Sequence, residues 1–203
     1  MKIIELYGYS GSGKTYLAKK IKSKKNLNDL FYIISKKKRI FRFLIKICYI
    51  FSINFDDLKF VISIQKEFNF LKIKYKLKNF FSFLYIIGFI RNNIKNKTSI
   101  IIDHGIFQCL FSCYSFSKKN RINHKKISFN LIKFFSKLPL NFNYHIICMK
   151  TDIKTIKDRL KVDKRFFQLS FLEKDEKKIK YTYRDLKLIL QFISKRHKNL
   201  YIK

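Results

Sequence analysis

The stretch Leu6–Thr15, "LYGYSGSGKT", holds three of the chain's five glycines, Gly8, Gly11 and Gly13, with Lys14 and Thr15 directly behind them. A chain this sparing of glycine concentrates it where the backbone must turn tightly and approach something without a Cβ in the way. The residues leading in, "KIIELYG", have the short apolar pattern of a buried strand. Those leading out, "KTYLAKKIKSKK", put Leu17, Ala18 and Ile21 on one helical face and lysines elsewhere. Strand, glycine turn and helix follow one another in that order.

The spacing Gly8-x-x-x-x-Gly13-Lys14-Thr15 is that of a Walker A motif, or P-loop. In such a loop successive backbone N–H groups face inward at a helix N-terminus, whose dipole favours negative charge. The expected ligand is a nucleoside triphosphate held by Gly8, Ser10, Gly11, Ser12, Gly13, Lys14, Thr15 and Tyr16. Lys14 would reach the β- and γ-phosphates as a point charge, and Thr15 would turn its hydroxyl to Mg²⁺.

Such a loop needs a carboxylate on a neighbouring strand to help hold the metal. "TSIIIDHGIFQ" at 98–108 supplies one, because its apolar run ends at Asp103 and Gly105 then breaks the strand. That places Asp103 at the carboxyl end of a parallel strand, where open α/β sheets bind ligands. No glutamate follows it to activate water; His104 stands there instead, either hydrogen-bonded behind the groups that touch the ligand or acting as a catalytic base. The guanine-specifying Asn-Lys-x-Asp pattern is absent too, since "NKTS" at 96–99 lacks the aspartate. A P-loop without an evident hydrolytic base suits transfer of phosphate to a second bound molecule.

"YHIICMK" at 144–150 reads as another strand, followed by a helix that Thr151 or Asp152 can cap and in which Ile153, Ile156 and Leu160 share a face. Arg159, Lys161, Lys164 and Arg165 come at its end. Planar guanidinium donors match phosphate oxygens, so Arg159 and Arg165 are candidates to close over a transferring phosphoryl group. With Lys14 and Asp103 they make the expected catalytic set; Thr15 and Asp103 make the expected Mg²⁺ set.

In this order the three segments resemble P-loop nucleoside and nucleotide kinases, most of all the thymidylate-kinase and adenylate-kinase-like group. They are also similar to bacterial kinase-like P-loop proteins, some from surface-polysaccharide gene clusters, that carry an Asp-x-Gly-x-x-Gln stretch like "DHGIFQ". The resemblance implies an α/β fold: a doubly wound parallel sheet of about five strands with helices on both faces. It also implies Mg²⁺-ATP as donor, a small-molecule acceptor (nucleotide, nucleoside or sugar-like), and lid roles for Arg159 and Arg165. His104 departs from the pattern, standing where thymidylate kinases carry arginine.

Composition bounds the rest. With one proline and no glycine- or serine-rich linker, residues 1–203 read as one domain with a helical acceptor-side insertion at 36–97 and a basic lid at 159–168. The net charge of +33 would suit nucleic acid or an anionic membrane surface, the basis of an alternative reading as a regulatory ATPase or binding protein. Yet only eight of the 46 basic residues are arginine, and Lys, Ile, Asn, Phe and Tyr all have AT-rich codons, so codon bias accounts for the charge without a polyanionic partner. Cys109 and Cys113 share a helical spacing and read as a reduced pair in the core, not metal ligands. The first residues do not read as a signal peptide, and the longest uncharged apolar run, at 80–90, is about half a membrane span, which together suggest a cytoplasmic protein. Oligomeric state is not legible.

The remaining text reads as scaffold. "DLFYIIS" at 29–35 suggests a second strand, "RIFRFLIKICYIF" (39–51) and "KNFFSFLYIIGFIRNN" (78–93) suggest buried helices, and "LKIKYKLK" between them alternates like a strand, in conflict with the helices expected of this insertion, so that both readings stay open. Arg39, Arg42 and Arg91 are candidates to grip an acceptor phosphate. Further helices are expected at 105–117 and 124–137, a last one capped by Ser170 and Glu173, and a final strand at "NLYIK".

Overall fold

The computed structural model describes the chain except residues 25–26, 30–36, 69–70, 117–121, 140–141, 163, 165–175, 198 and 203. The described strands are β1 (Lys2–Tyr7), β2 (Asn28–Asp29), β3 (Ile100–Ile102), β4 (Asn143–Cys148) and β5 (Leu200–Ile202). They form one sheet in the order β2-β3-β1-β4-β5, with every pairing parallel. The described helices are α1 (Lys14–Lys24), α2 (Arg39–Ile50), α3 (Phe55–Lys66), α4 (Ile73–Lys95), α5 (Ile106–Phe116), α6 (His124–Ser136), α7 (Ile153–Val162) and α8 (Glu176–Ser194).

The pleat of β1 divides the core. Ile4 and Leu6 meet Ala18 of α1, Leu27 and Ile101 on one face. Ile3 and Tyr7 join the larger cluster on the other face, built from α3, α4, α5, α6 and α8. Helices therefore cover both faces, as a sheet buried on both sides requires. β1 is central, and its carboxyl end delivers the chain into Gly8. The strand order reverses there: β3 lies on one side of β1 and β4 on the other, opening the crevice where such sheets take ligands.

In the insertion the structure decides one open reading and corrects one expectation. "LKIKYKLK" is not a strand: from Ile73 on it is the first two turns of α4, with the Lys72 carbonyl accepting from Tyr75 and Lys76. Ile73 and Leu77 are exposed, so the alternation does not mark a buried face. Extending the long helix behind it gains one hydrogen bond per residue, so the helix wins over a strand with nothing to pair against. Nor is α2 a buried helix. Ile40 and Phe43 are 73% and 64% exposed, and only the end near Tyr49 packs closely. There α2 crosses α4 at Gly88, where any Cβ would run into the Tyr49 carbonyl, and Tyr49 meets Phe89 edge-on at 5.2 Å between ring centroids.

Capping residues set several boundaries. Asn54 and Asp57 form a reciprocal capping box at α3, Asn123 accepts from Lys126 at α6, and Asp152 accepts from Thr155 at α7. Ser170, Glu173 and most of the "DLFYIIS" segment lie outside the described residues. α8 is described from Glu176, which pairs with Lys180 one turn on at 3.0 Å. Ile179, Leu186, Leu190 and Ile193 form its buried stripe. No described helix is long and apolar enough to cross a membrane.

Candidate active site

The glycine loop joins β1 to α1 at the carboxyl edge of the sheet. Gly11 and Gly13 have φ of +83° and +90°, conformations that side chains with a Cβ rarely adopt. The Lys14 ammonium lies inside the loop, donating at 2.8 Å to the carbonyls of both Gly8 and Tyr9. The loop is braced from three elements. Thr151 donates to the Ser12 carbonyl at 3.0 Å, Tyr183 of α8 accepts from the Tyr9 amide at 2.8 Å, and Arg159 of α7 donates to the Gly11 carbonyl at 3.1 Å.

Asp103 follows β3 directly, and its Oδ2 accepts from the Thr15 hydroxyl at 2.9 Å. Its Oδ1 is buried with no hydrogen-bond partner, as is the Ser12 hydroxyl oxygen in the loop. A buried, unpartnered carboxylate oxygen beside a threonine hydroxyl is the donor set a hard cation takes, and Mg²⁺ is ordinarily held by one or two protein oxygens plus phosphates and water. The residues present fit Mg²⁺. Among the described residues no cluster of three or more His, Cys, Asp or Glu offers a closed metal cage.

Between the loop and α7 lies a cleft of about 730 Å³, a size typical of small-ligand sites. Ser10, Gly11, Gly13, Lys14, Thr15 and Tyr16 line it from the loop side, His104 and Gln108 from the β3–α5 turn, and Asp158, Arg159 and Val162 from α7. His104 is held below the usual imidazole range chiefly by burial; Asp103 opposes the shift, while Lys14, Lys78 and Lys46 add to it. Arg165 lies outside the described residues.

Arg91 sits elsewhere. It forms a two-pronged ion pair with Asp57, at 2.7 Å and 3.0 Å, in a separate groove with Lys59, Lys133 and Lys137. Arg42 donates from Nε to the Lys37 carbonyl at 2.8 Å. Cys109 and Cys113 are buried free thiols on α5, with pKa values pushed up by burial.

Two residues that sequence reading did not single out tie the loop to its surroundings. Glu5, fully buried on β1, accepts from the backbone amides of Phe107 and Gln108 and, through Oε2, from the Tyr144 hydroxyl at 2.6 Å. Gln108 in turn accepts from the Gly8 amide at 2.9 Å. The first glycine of the loop is thus held by Gln108, whose own amide is held by Glu5, three residues before that glycine. Gly105 makes this possible, because a Cβ there would overlap the Glu5 carboxylate. The signal was present as an isolated acid in an apolar strand and the glutamine of "DHGIFQ", but only folding shows that they meet.

No family model matches this sequence, and no curated protein does. Among solved structures the fold is similar to deoxyadenosine kinase from M. mycoides with bound dATP, at TM-score 0.50 and 15% identity, covering 100% of this chain and 90% of that one. The same enzyme with bound dCTP gives TM-score 0.47 and 14% identity over 100% and 89% of the two chains. With products dCMP and a flexible dCDP it gives 0.48 and 16% over 100% and 90%. Taken with the parallel sheet and the loop after its central strand, the likeness shows the fold: an α/β parallel sheet arranged as in that enzyme.

Proposed function

We propose that the protein is a phosphotransferase that moves the γ-phosphoryl group of Mg²⁺-ATP to a small-molecule acceptor. The carrying observation is the convergence, in one cleft, of the glycine loop with Lys14, the hydrogen-bonded pair Thr15–Asp103, and Arg159. Gly8 to Tyr16 form the triphosphate cradle, with Lys14 as its point charge. Thr15 and Asp103 hold Mg²⁺, which supplies charge neutralisation across the phosphates when bound. Arg159, already resting on the loop, offers planar donors to the oxygens on which charge spreads during transfer. Arg165 is assigned the same role from its place in the sequence. The chain's work is positioning and electrostatics, as phosphoryl transfer requires. No glutamate follows Asp103, which favours transfer over hydrolysis.

The test is ADP release from Mg²⁺-ATP against a panel of nucleosides, nucleotides and sugars, run beside Lys14→Ala. Acceptor-dependent release that disappears in the variant is the expected result. Slow release indifferent to every acceptor but stimulated by DNA or vesicles would replace this reading with a regulatory ATPase.

A further inference from the structure

The groove that holds Arg91 lies toward the other end of the sheet from the glycine loop. α4 ends at Lys95 and β3 begins at Ile100, so Arg91, one turn before the end of α4, sits toward the amino edge of the strands. α6 ends at Ser136 and β4 begins at Asn143, which brings Lys137 to the same edge. The glycine loop leaves the carboxyl edge of β1, and a six-residue strand spans about 20 Å. The groove, of about 340 Å³, shares no described lining residue with the cleft.

Its walls come from α3 and α6, which meet where Phe60 stacks on Phe134 at 4.6 Å between ring centroids. Four cations and two acids line it: Lys59, Arg91, Lys133 and Lys137 against Asp56 and Asp57. Both acids are already engaged. Asp57 is buried, accepting from Arg91 and from the Asn54 amide. Asp56 pairs with Lys137 at 2.9 Å. That leaves Lys59 on one wall and Lys133 on the other with no carboxylate among the described residues. Each instead lies over a ring one turn back on its own helix, Phe55 at 4.3 Å and Phe129 at 4.5 Å. Such contacts are weak at exposed sites, and these rings are 69% and 54% exposed. Asn130, one turn before Lys133, lines the groove as well, and its side-chain nitrogen is buried with no hydrogen-bond partner. Buried donors are nearly always satisfied, so one left open in a positive groove points to an acceptor bound there.

We propose that this groove is a second anion site, one that takes the phosphate group of a small molecule. Lys59 and Lys133 supply the charge from opposite walls, and Asn130 supplies an N–H donor. Two uncompensated ammonium groups match a phosphate dianion, whose several oxygens can accept from both lysines and the amide together. A neutral ligand would leave both charges unmatched. The volume is at the lower end of small-ligand pockets, enough for phosphate with a small group attached. Arg91 and Lys137 stay with their acids and shape the walls. The proposal does not rest on the phosphotransferase reading, because the groove and the cleft are separate.

The experiment is calorimetric titration with inorganic phosphate, glucose 6-phosphate and glucose, at pH 8 and an ionic strength fixed with KCl. Mg²⁺ and a non-hydrolysable ATP analogue are present throughout, to occupy the glycine loop. Binding of the two phosphates and none of glucose is expected; tighter binding of glucose 6-phosphate would mark an ester as the ligand, and the reverse the free ion. Lys59→Gln and Lys133→Gln replace exposed side chains, so the fold should survive. Each should weaken phosphate binding about tenfold or more, the worth of one hydrogen bond to a charged group. Asn130→Ala should weaken it by less. Lys14→Ala should retain it, which separates the groove from the glycine loop. Lys125→Gln, an exposed lysine of the same helix outside the groove, should change little. Phosphate binding that the groove variants leave untouched would overturn the proposal. So would an equal loss in Lys125→Gln, which would assign the binding to the general positive field, and so would no binding of either phosphate.

Discussion

Glu5 is a carboxylate in a place where its charge is expensive. Burial raises its pKa to about 7, even though Tyr144 and the amides of Gln108, Phe107 and Ile106 pull it down. A carboxyl raised in the folded state from the ordinary 4.5 binds its proton more tightly folded than unfolded. It therefore supports stability fully below about pH 4.5, and that support is lost as pH climbs to about 7. The span corresponds to roughly 3 kcal/mol. His104 acts in the opposite sense, because its lowered pKa removes stability as pH falls. Comparing denaturant midpoints of wild type and Glu5→Gln between pH 5 and 8 isolates the Glu5 contribution. The wild-type curve should fall relative to the variant's as pH rises; parallel curves would show that Glu5 does not titrate in this window. Gln can keep the amide contacts, so the fold should survive. Thr15 and Asp103 make the matching functional case. Asp103→Asn should leave the fold intact and weaken the Mg²⁺ dependence of nucleotide binding, read as the Mg²⁺ concentration giving half-maximal ATP affinity.

Two contacts between helices carry expectations of their own. The crossing of α2 over α4 depends on Gly88, whose missing Cβ leaves room for the Tyr49 carbonyl. Gly88→Ala must push backbone against backbone, an overpacking cost of about 1–3 kcal/mol. For a chain of this size each kcal/mol lowers Tm by roughly 2–4 °C. The α3–α4 contact rests on Arg91 and Asp57, with Asp57 only 1% exposed. Arg91→Met leaves a buried carboxylate unpaired and should cost about 3–5 kcal/mol. Adding Asp57→Asn should recover part of that loss, although the capping box weakens with it. A double variant as unstable as the single one would show that the pair contributes packing rather than charge compensation.

For the molecule as a whole, ligand binding and stability are linked. If the cradle binds Mg²⁺-ATP, nucleotide at about a hundred times Kd should add about 2.7 kcal/mol. That appears in a thermal melt as a rise of several degrees. Lys14→Ala should melt near the wild-type temperature and show no such rise. A rise of equal size in the variant would place the nucleotide elsewhere. The +33 charge makes the ionic-strength series an essential companion, since exposed lysines attract any polyanion and salt screens that attraction within about a Debye length. Binding in the cleft should persist as salt removes the rest.

What the sequence determined by itself was whatever is encoded locally. The glycine spacing from Gly8 to Gly13, the apolar runs ending at Tyr7 and Asp103, and the helical stripe of α8 all lie within a few residues of one another. Their backbone preferences point one way, and the parallel α/β sheet follows from them. The insertion was less legible. "LKIKYKLK" carries a period-two pattern that belongs to no sheet, and the apolar residues of α2 suggest burial where most of that helix is exposed. In both, local pattern is ambiguous and only neighbouring elements choose. Tertiary structure alone decided which distant residues meet: Glu5 with Gly105 and Gln108, Arg91 with Asp57, and Tyr49 with Gly88. Each is a matter of burial and close approach between segments far apart in the chain, and the energies of desolvation and packing that select such contacts exist only once the chain has closed around them.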